Sequence, residues 1–215
     1  MVLTKKAKII NSKQRRKRYM KKHVIALAGC PTSGKSSVLR MLKELPTDNN
    51  IKVLFLDETA TVFLHNRPAA VGALDSQLLR QHYIIKAQMH SENLLLENAA
   101  DAERPTLLIT DRGAIDAMVY LSDDEFPIFG IEPDSLYARY DHVIFLKGDA
   151  ENFCADETTT RLETDYEQIA ALGKRSYEIW SKHPSFTVVE QQQTVEEKTK
   201  LVTEKINELM GIAVF

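Results

Sequence analysis

The chain holds only two cysteines in 215 residues, Cys30 and Cys154, far apart and at no metal-ligand spacing. That argues against a disulfide-stapled scaffold and reads as free thiols in a reducing compartment. No apolar run approaches the roughly 20 residues needed to cross a bilayer, and the amino terminus lacks the apolar core of a secretion signal. A soluble, cytoplasmic protein is the expectation. The six histidines form no useful pair, since His82 and His90 lie eight residues apart, too far for a single-turn metal site. Internal repeats and low-complexity linkers are also missing, so nothing requires a second domain.

Acidic side chains are absent from residues 1–22, which carry ten Lys or Arg. The net charge of −2 therefore hides an asymmetry, with 18 basic against 30 acidic side chains, or −12, in the remainder. The expected division is a flexible basic leader over 1–22 and a folded domain over 23–215. The leader suits an anionic lipid, a nucleic acid or an import receptor as partner, or else is simply solvated. The acidic body argues against nucleic acid as the main partner, because phosphate contacts need a basic face on the folded domain.

What is present is an α/β pattern: apolar, β-branched runs alternate with longer periodic segments, the arrangement of a parallel sheet flanked by helices. Five strands are predicted, at His23–Ala28, Lys52–Leu56, Thr106–Thr110, His142–Leu146 and Phe186–Val189. Helices are predicted over 36–45, 74–102, 113–122, 160–183 and 194–210, the last with Thr194 as N-cap and Glu197 three residues later. The carboxyl ends of such strands are where α/β sheets bind ligands.

The first strand runs directly into Gly29-Cys30-Pro31-Thr32-Ser33-Gly34-Lys35-Ser36, followed by helix-forming residues from Ser37. This is a phosphate-binding loop. Its glycines let successive backbone N–H groups point at phosphate oxygens, and the helix presents its positive end to the same anion. Gly29, Thr32, Ser33, Gly34, Lys35, Ser36 and Ser37 are the candidate nucleotide-binding residues, with Lys35 reaching the β/γ-phosphates and Ser36 offering a hydroxyl to Mg²⁺. ATP is the expected nucleotide, with GTP left open. Cys30 reads as filler.

Thr106–Thr110 leads into Asp111, a strand-terminal carboxylate suited to supporting the magnesium opposite the loop. Arg112 follows, either a donor to a transferring phosphoryl group or a plain salt-bridge partner. The second strand ends in Asp57-Glu58, placing two acids at the same edge. Glu58 is favoured as the residue that accepts or directs an acceptor hydroxyl, with Asp57 as its substitute and a simple helix-start charge pair as the competing reading. Arg161, in the polar stretch Asp156–Arg161, is the candidate lid arginine, ahead of Arg139, Lys174 and Arg175.

Together, the loop, Glu58, Asp111-Arg112-Gly113, and Arg161-Leu162-Glu163 ahead of Tyr177 resemble one branch of the P-loop NTPases. The chain is similar, from about His23 to Met210, to the AAA-type ATPase-like family related to ribosylnicotinamide kinase and to nucleoside and thymidylate kinases. The resemblance implies a Mg·NTP-dependent three-layer fold with five parallel strands ordered 2-3-1-4-5. Gln88 and Glu92 match the family's Gln-x-x-x-Glu pattern, which implies a substrate-side place for Gln88. The lid departs from better-studied kinases, with one clear arginine and three successive threonines, Thr158 to Thr160.

The favoured function is Mg·ATP-dependent phosphoryl transfer to a nucleoside or similar small hydroxyl acceptor. The alternative is a nucleotide-dependent switch that docks through its leader. Guanine specificity finds no support, since the nearest match to Asn-Lys-x-Asp is Leu146-Lys147-Gly148-Asp149. A motor-type ATPase lacks the additional regions it would need.

Overall fold

A computed structural model describes residues 22–65, 76–99, 104–148 and 166–215. Residues 1–21 of the leader expected over 1–22, and the expected lid with Arg161, lie outside the described residues, while Lys22 belongs to the first strand.

Five strands, β1 (Lys22–Gly29), β2 (Lys52–Leu56), β3 (Thr106–Asp111), β4 (His142–Leu146) and β5 (Phe186–Val189), form one parallel sheet in the order β2-β3-β1-β4-β5. The order is the expected one, and β1 and β3 each extend slightly past their predicted bounds. Strand parity assigns each side chain to one of two cores. Val24, Ala26, Leu108, Val143 and Phe145 face one cluster, whereas Ile25, Leu27, Leu107, Ile109, Ile144 and Leu146 face the other.

Helices cover both faces. α1 (Lys35–Glu44) follows the phosphate loop and buries Val38, Leu39 and Leu42 in the second cluster, beside Val202 and Ile206 of α6 (Val195–Met210). The Thr194 side chain accepts from Glu197 N, the cap expected from sequence. On the opposite face lie α3 (Gln77–Asn98), α4 (Pro133–Tyr137) and α5 (Tyr166–Trp180), which bring Ile85, Leu136, Ile179 and Trp180 to the first cluster. A short α2 (Thr59–His65) follows β2.

Two expectations change in detail. The helix predicted over 113–122 is a 3₁₀ segment at Ala114–Val119, opened by Gly113, whose N–H donates to Asp116 Oδ2 at 2.8 Å. The helix predicted over 74–102 is described over Gln77–Asn98, and its buried positions are Gln81, Ile85, Gln88 and Glu92, while Leu79 and Leu94 are exposed. Its inner stripe is largely polar because partners from elsewhere in the fold meet it there. Replacing Thr194 with Ala should cost about 1 kcal/mol through loss of the cap, read as a lower urea midpoint with an unchanged m-value.

Candidate functional site

The phosphate loop depends on two unusual backbone positions. Gly29 has φ 140°, and a Cβ there would lie 2.3 Å from the Leu146 carbonyl oxygen. Gly34, the N-cap of α1, sits in the left-handed region at φ 81°. Lys35 opens the helix with its ammonium folded back under the loop, donating to the carbonyls of Gly29 (3.0 Å) and Cys30 (2.7 Å) and to Ser33 Oγ (3.2 Å). Burial pulls this amine down to about 8, and nearby Arg112 pushes the same way. Cys30 is packed between glycines: a Cβ on Gly148 would lie 2.6 Å from its Sγ, and one on Gly173 3.0 Å from its Cβ.

Leu27 of β1 pairs with Asp111 of β3, so the strand-terminal carboxylate stands beside the loop. Ser36 Oγ donates to Asp111 Oδ2 at 2.5 Å, while Asp111 Oδ1 is buried with no hydrogen-bond partner. Burial raises this carboxyl above its ordinary range, against the pull of Lys35 and the Ser36 hydroxyl. A hydroxyl next to an unsatisfied carboxylate oxygen is a donor set that fits a hard divalent cation such as Mg²⁺.

The next residue leaves the sheet abruptly. Arg112 has φ 70°, a conformation a side-chain-bearing residue rarely adopts without compensating contacts. Its N–H donates to Leu27 O at 3.0 Å, and its carbonyl accepts from Gln88 Nε2 at 3.4 Å. Arg112 Nε donates to Glu58 Oε1, and its guanidinium carbon lies 6.0 Å from the centre of the Tyr120 ring. Burial alone would raise Glu58. Arg112, the Thr61 hydroxyl and Lys35 together outweigh it and hold the carboxyl at about 2.

Asp57 goes elsewhere. It is exposed and paired with Lys43 of α1 at 2.5 Å, while Glu58 turns to the other face of the sheet. Continuing the alternation of β2 separates the two acids: Val53 and Phe55 share the α1 side with Asp57, and Leu54 and Leu56 share the α3 side with Glu58.

Behind Arg112 lies a buried polar network. Gln88 Nε2 donates to Glu92 Oε1 at 2.9 Å, the Tyr140 hydroxyl donates to the same oxygen at 2.7 Å, and Arg139 clasps Glu92 Oε2 through Nε (2.7 Å) and Nη2 (2.6 Å). Tyr140 also accepts from Ala114 N at 2.6 Å, which ties the network to the start of the 3₁₀ segment. Arg139 is thus committed to Glu92. Arg175 is likewise occupied, donating to the carbonyls of Met118 and Leu121 and pairing with Asp123. Among the described residues, exposed Lys174 approaches Glu178, at 4.0 Å.

Sequence reasoning missed Asp116 and Lys198. Lys198 of α6 is buried, and its Nζ donates to Ser33 O (3.1 Å), Lys147 O (2.8 Å) and Gln191 Oε1 (2.5 Å), tying together the loops after β1, β4 and β5. The signal available was a lysine at a position where helical spacing from Val202 and Ile206 calls for an inward residue.

A sequence model described as AAA domain matches residues 24–198. No curated protein gives a significant match. Among solved structures, the chain is similar to thymidylate kinase from Ehrlichia chaffeensis, with a TM-score of 0.57 at 14% identity, covering 86% of this chain and 99% of that one. It is also similar to thymidylate kinase from Candida albicans, with a TM-score of 0.58 at 16% identity, covering 88% and 92%. These likenesses establish the P-loop fold. No described helix is long and apolar enough to cross a membrane.

Because the folded pKa of Glu58 lies below its ordinary 4.5, the stability it contributes is present above 4.5 and is lost as pH falls toward 2. Between about pH 5 and pH 3, urea denaturation should show wild type losing more stability than Glu58→Gln, whose amide does not titrate in that window. Parallel acid profiles would mean that Glu58 is not ion-paired in solution.

Proposed function

Since this chain belongs to the AAA-domain family, we propose that it transfers the terminal phosphoryl group of Mg·ATP to a nucleoside or similar small hydroxyl acceptor. The observation that carries this reading is the Glu58–Arg112 pair, set beside the phosphate loop and on the opposite side of Asp111 from α1. A site that only binds a triphosphate has no need of an ionised carboxylate and a guanidinium at this place, whereas phosphoryl transfer uses both, one to direct the nucleophile and one to meet the developing charge.

In this reading the backbone N–H groups of the Gly29–Ser36 loop, Pro31 having none, cradle the phosphates, and Thr32, Ser33 and Ser37 complete the loop and the first turn of its helix. The Lys35 ammonium exchanges the carbonyls of Gly29 and Cys30 for β/γ-phosphate oxygens. Ser36 and Asp111 would hold Mg²⁺, which when bound neutralises phosphate charge. Glu58, with a pKa of about 2, is too weak a base to carry a proton away at neutral pH. Its task is to fix the direction of the acceptor hydroxyl, which suffices where the transition state is loose and bond-making to the nucleophile is slight. Arg112 aims its donors at the moving phosphoryl group, and Arg161 is assigned to the lid. Gln88 supports the acceptor side through the Arg112 carbonyl, and Asp57 has no part.

The test is a panel of ribo-, deoxyribo- and nicotinamide nucleosides offered with Mg·ATP, read by product formation and by added thermal stabilisation once a nonhydrolysable ATP analogue is bound. At least one compound should be phosphorylated. Silence across the panel beside clear nucleotide binding would favour the switch reading.

Lys35 supplies a second check. An amine depressed to about 8 regains its proton when phosphates replace carbonyls around it. Triphosphate binding at about pH 8.5 should therefore take up protons, measured by titration calorimetry in buffers of different ionisation enthalpy. Binding without proton uptake would show that Lys35 stays charged in the free protein.

A further inference from the structure

Arg112 is flanked by two carboxylates, and only one of them holds it. Glu58 takes its Nε, whereas Asp116 Oδ1 stands 3.8 Å from Nη1, beyond hydrogen-bond reach. Asp116 is otherwise firmly fixed, its Oδ2 accepting from Gly113 N at 2.8 Å and its Oδ1 from the indole Nε1 of Trp180 at 3.2 Å. The 3₁₀ segment that carries Asp116 is pinned to α5 at both ends. At one end a Cβ on Gly113 would lie 2.6 Å from Tyr140 and 2.8 Å from Trp180, and at the other Arg175 holds the carbonyls of Met118 and Leu121. A carboxylate held this rigidly, just out of reach of a buried cation, is a second berth for that cation.

Such a berth is needed under the kinase reading, on which this inference rests. When Glu58 turns to an acceptor hydroxyl, the guanidinium loses its hydrogen-bonded carboxylate inside a buried site, leaving it only the looser ion pair with Asp116 at 3.8 Å, where a poorly compensated charge is costly. We propose that Asp116 is a positioning residue that takes over the Arg112 guanidinium as Glu58 engages the acceptor, closing the 3.8 Å gap and keeping Arg112 aimed at the transferring group. Trp180 reports the transfer, because the oxygen that receives Arg112 is the one that accepts the indole N–H. It is the chain's only tryptophan and is fully buried.

The handover can be forced without any substrate. Glu58→Gln removes the ionic partner, so Arg112 should move onto Asp116 and shift the Trp180 emission relative to wild type. Adding Asp116→Asn, or Arg112→Lys should the first double variant fail to fold, should abolish that shift. Unchanged emission in Glu58→Gln, or a shift that persists in a folded double variant, overturns the proposal. In turnover with a phosphorylated acceptor, Asp116→Asn alone should lower kcat by about tenfold or more through misaimed donors, with KM for ATP unchanged. A raised KM for ATP at unchanged kcat would also overturn it. The fluorescence arm needs no acceptor, so failure of the kinase reading and failure of the handover give different results.

Discussion

The site depends on the pairing register of β1 and β3. With Leu27 opposite Asp111, the phosphate loop and the strand-terminal carboxylate leave the sheet next to each other, and the chain after Asp111 is caught at once by Leu27 O. Parity then sorts the chemistry. Asp111 falls on the α1 side with Ser36, and the backbone turn at Arg112 sends the guanidinium to the α3 side with Glu58. A register slip of one residue would exchange these faces and bury Leu27 and Ile109 in the wrong cluster, so the hydrophobic cores protect the arrangement of the polar groups.

The cations of the site have different electrostatic surroundings. Lys35 and Lys198 are buried against neutral carbonyl, hydroxyl and amide oxygens, so neither is neutralised by its direct contacts. Arg112 and Arg139 are matched by Glu58 and Glu92. The loop side thus carries cations without a direct ionic partner, while the side holding Arg112 and Arg139 is balanced charge by charge. Burial lowers both lysines, which is the cost of holding charge ready where water is excluded.

Much of the frame was legible because it follows local rules. β2, β4 and β5 match their predicted bounds, since short β-branched runs between turn residues leave few alternatives. The loop was legible because its spacing is dictated by phosphate geometry. The separation of Glu58 from Asp57 was also available, had strand parity been carried past Leu56. The polar stripe of α3 was not, because Glu92 is buried on account of Arg139 and Tyr140, 47 and 48 residues away. Asp116 was hidden for the same reason: its partner Trp180 lies 64 residues downstream. A sequence window registers an exposed-type residue, whereas the fold supplies the donors that let it go inside.

Cys30, described above as wedged between Gly148 and Gly173, carries a consequence for how such a chain can vary. The thiol occupies the space that a side chain at Gly148 would need, and the Cys30 Cβ crowds the corresponding space at Gly173. Positions 30, 148 and 173 therefore share a single volume. A methyl at 148 would meet the Cys30 thiol at 2.6 Å and the Ser33 backbone at 3.0 Å, so that glycine is required by the loop itself as well as by the thiol. A loop position read from sequence as filler thus packs against two glycines more than a hundred positions away, and a side chain at either of them would press on the phosphate loop.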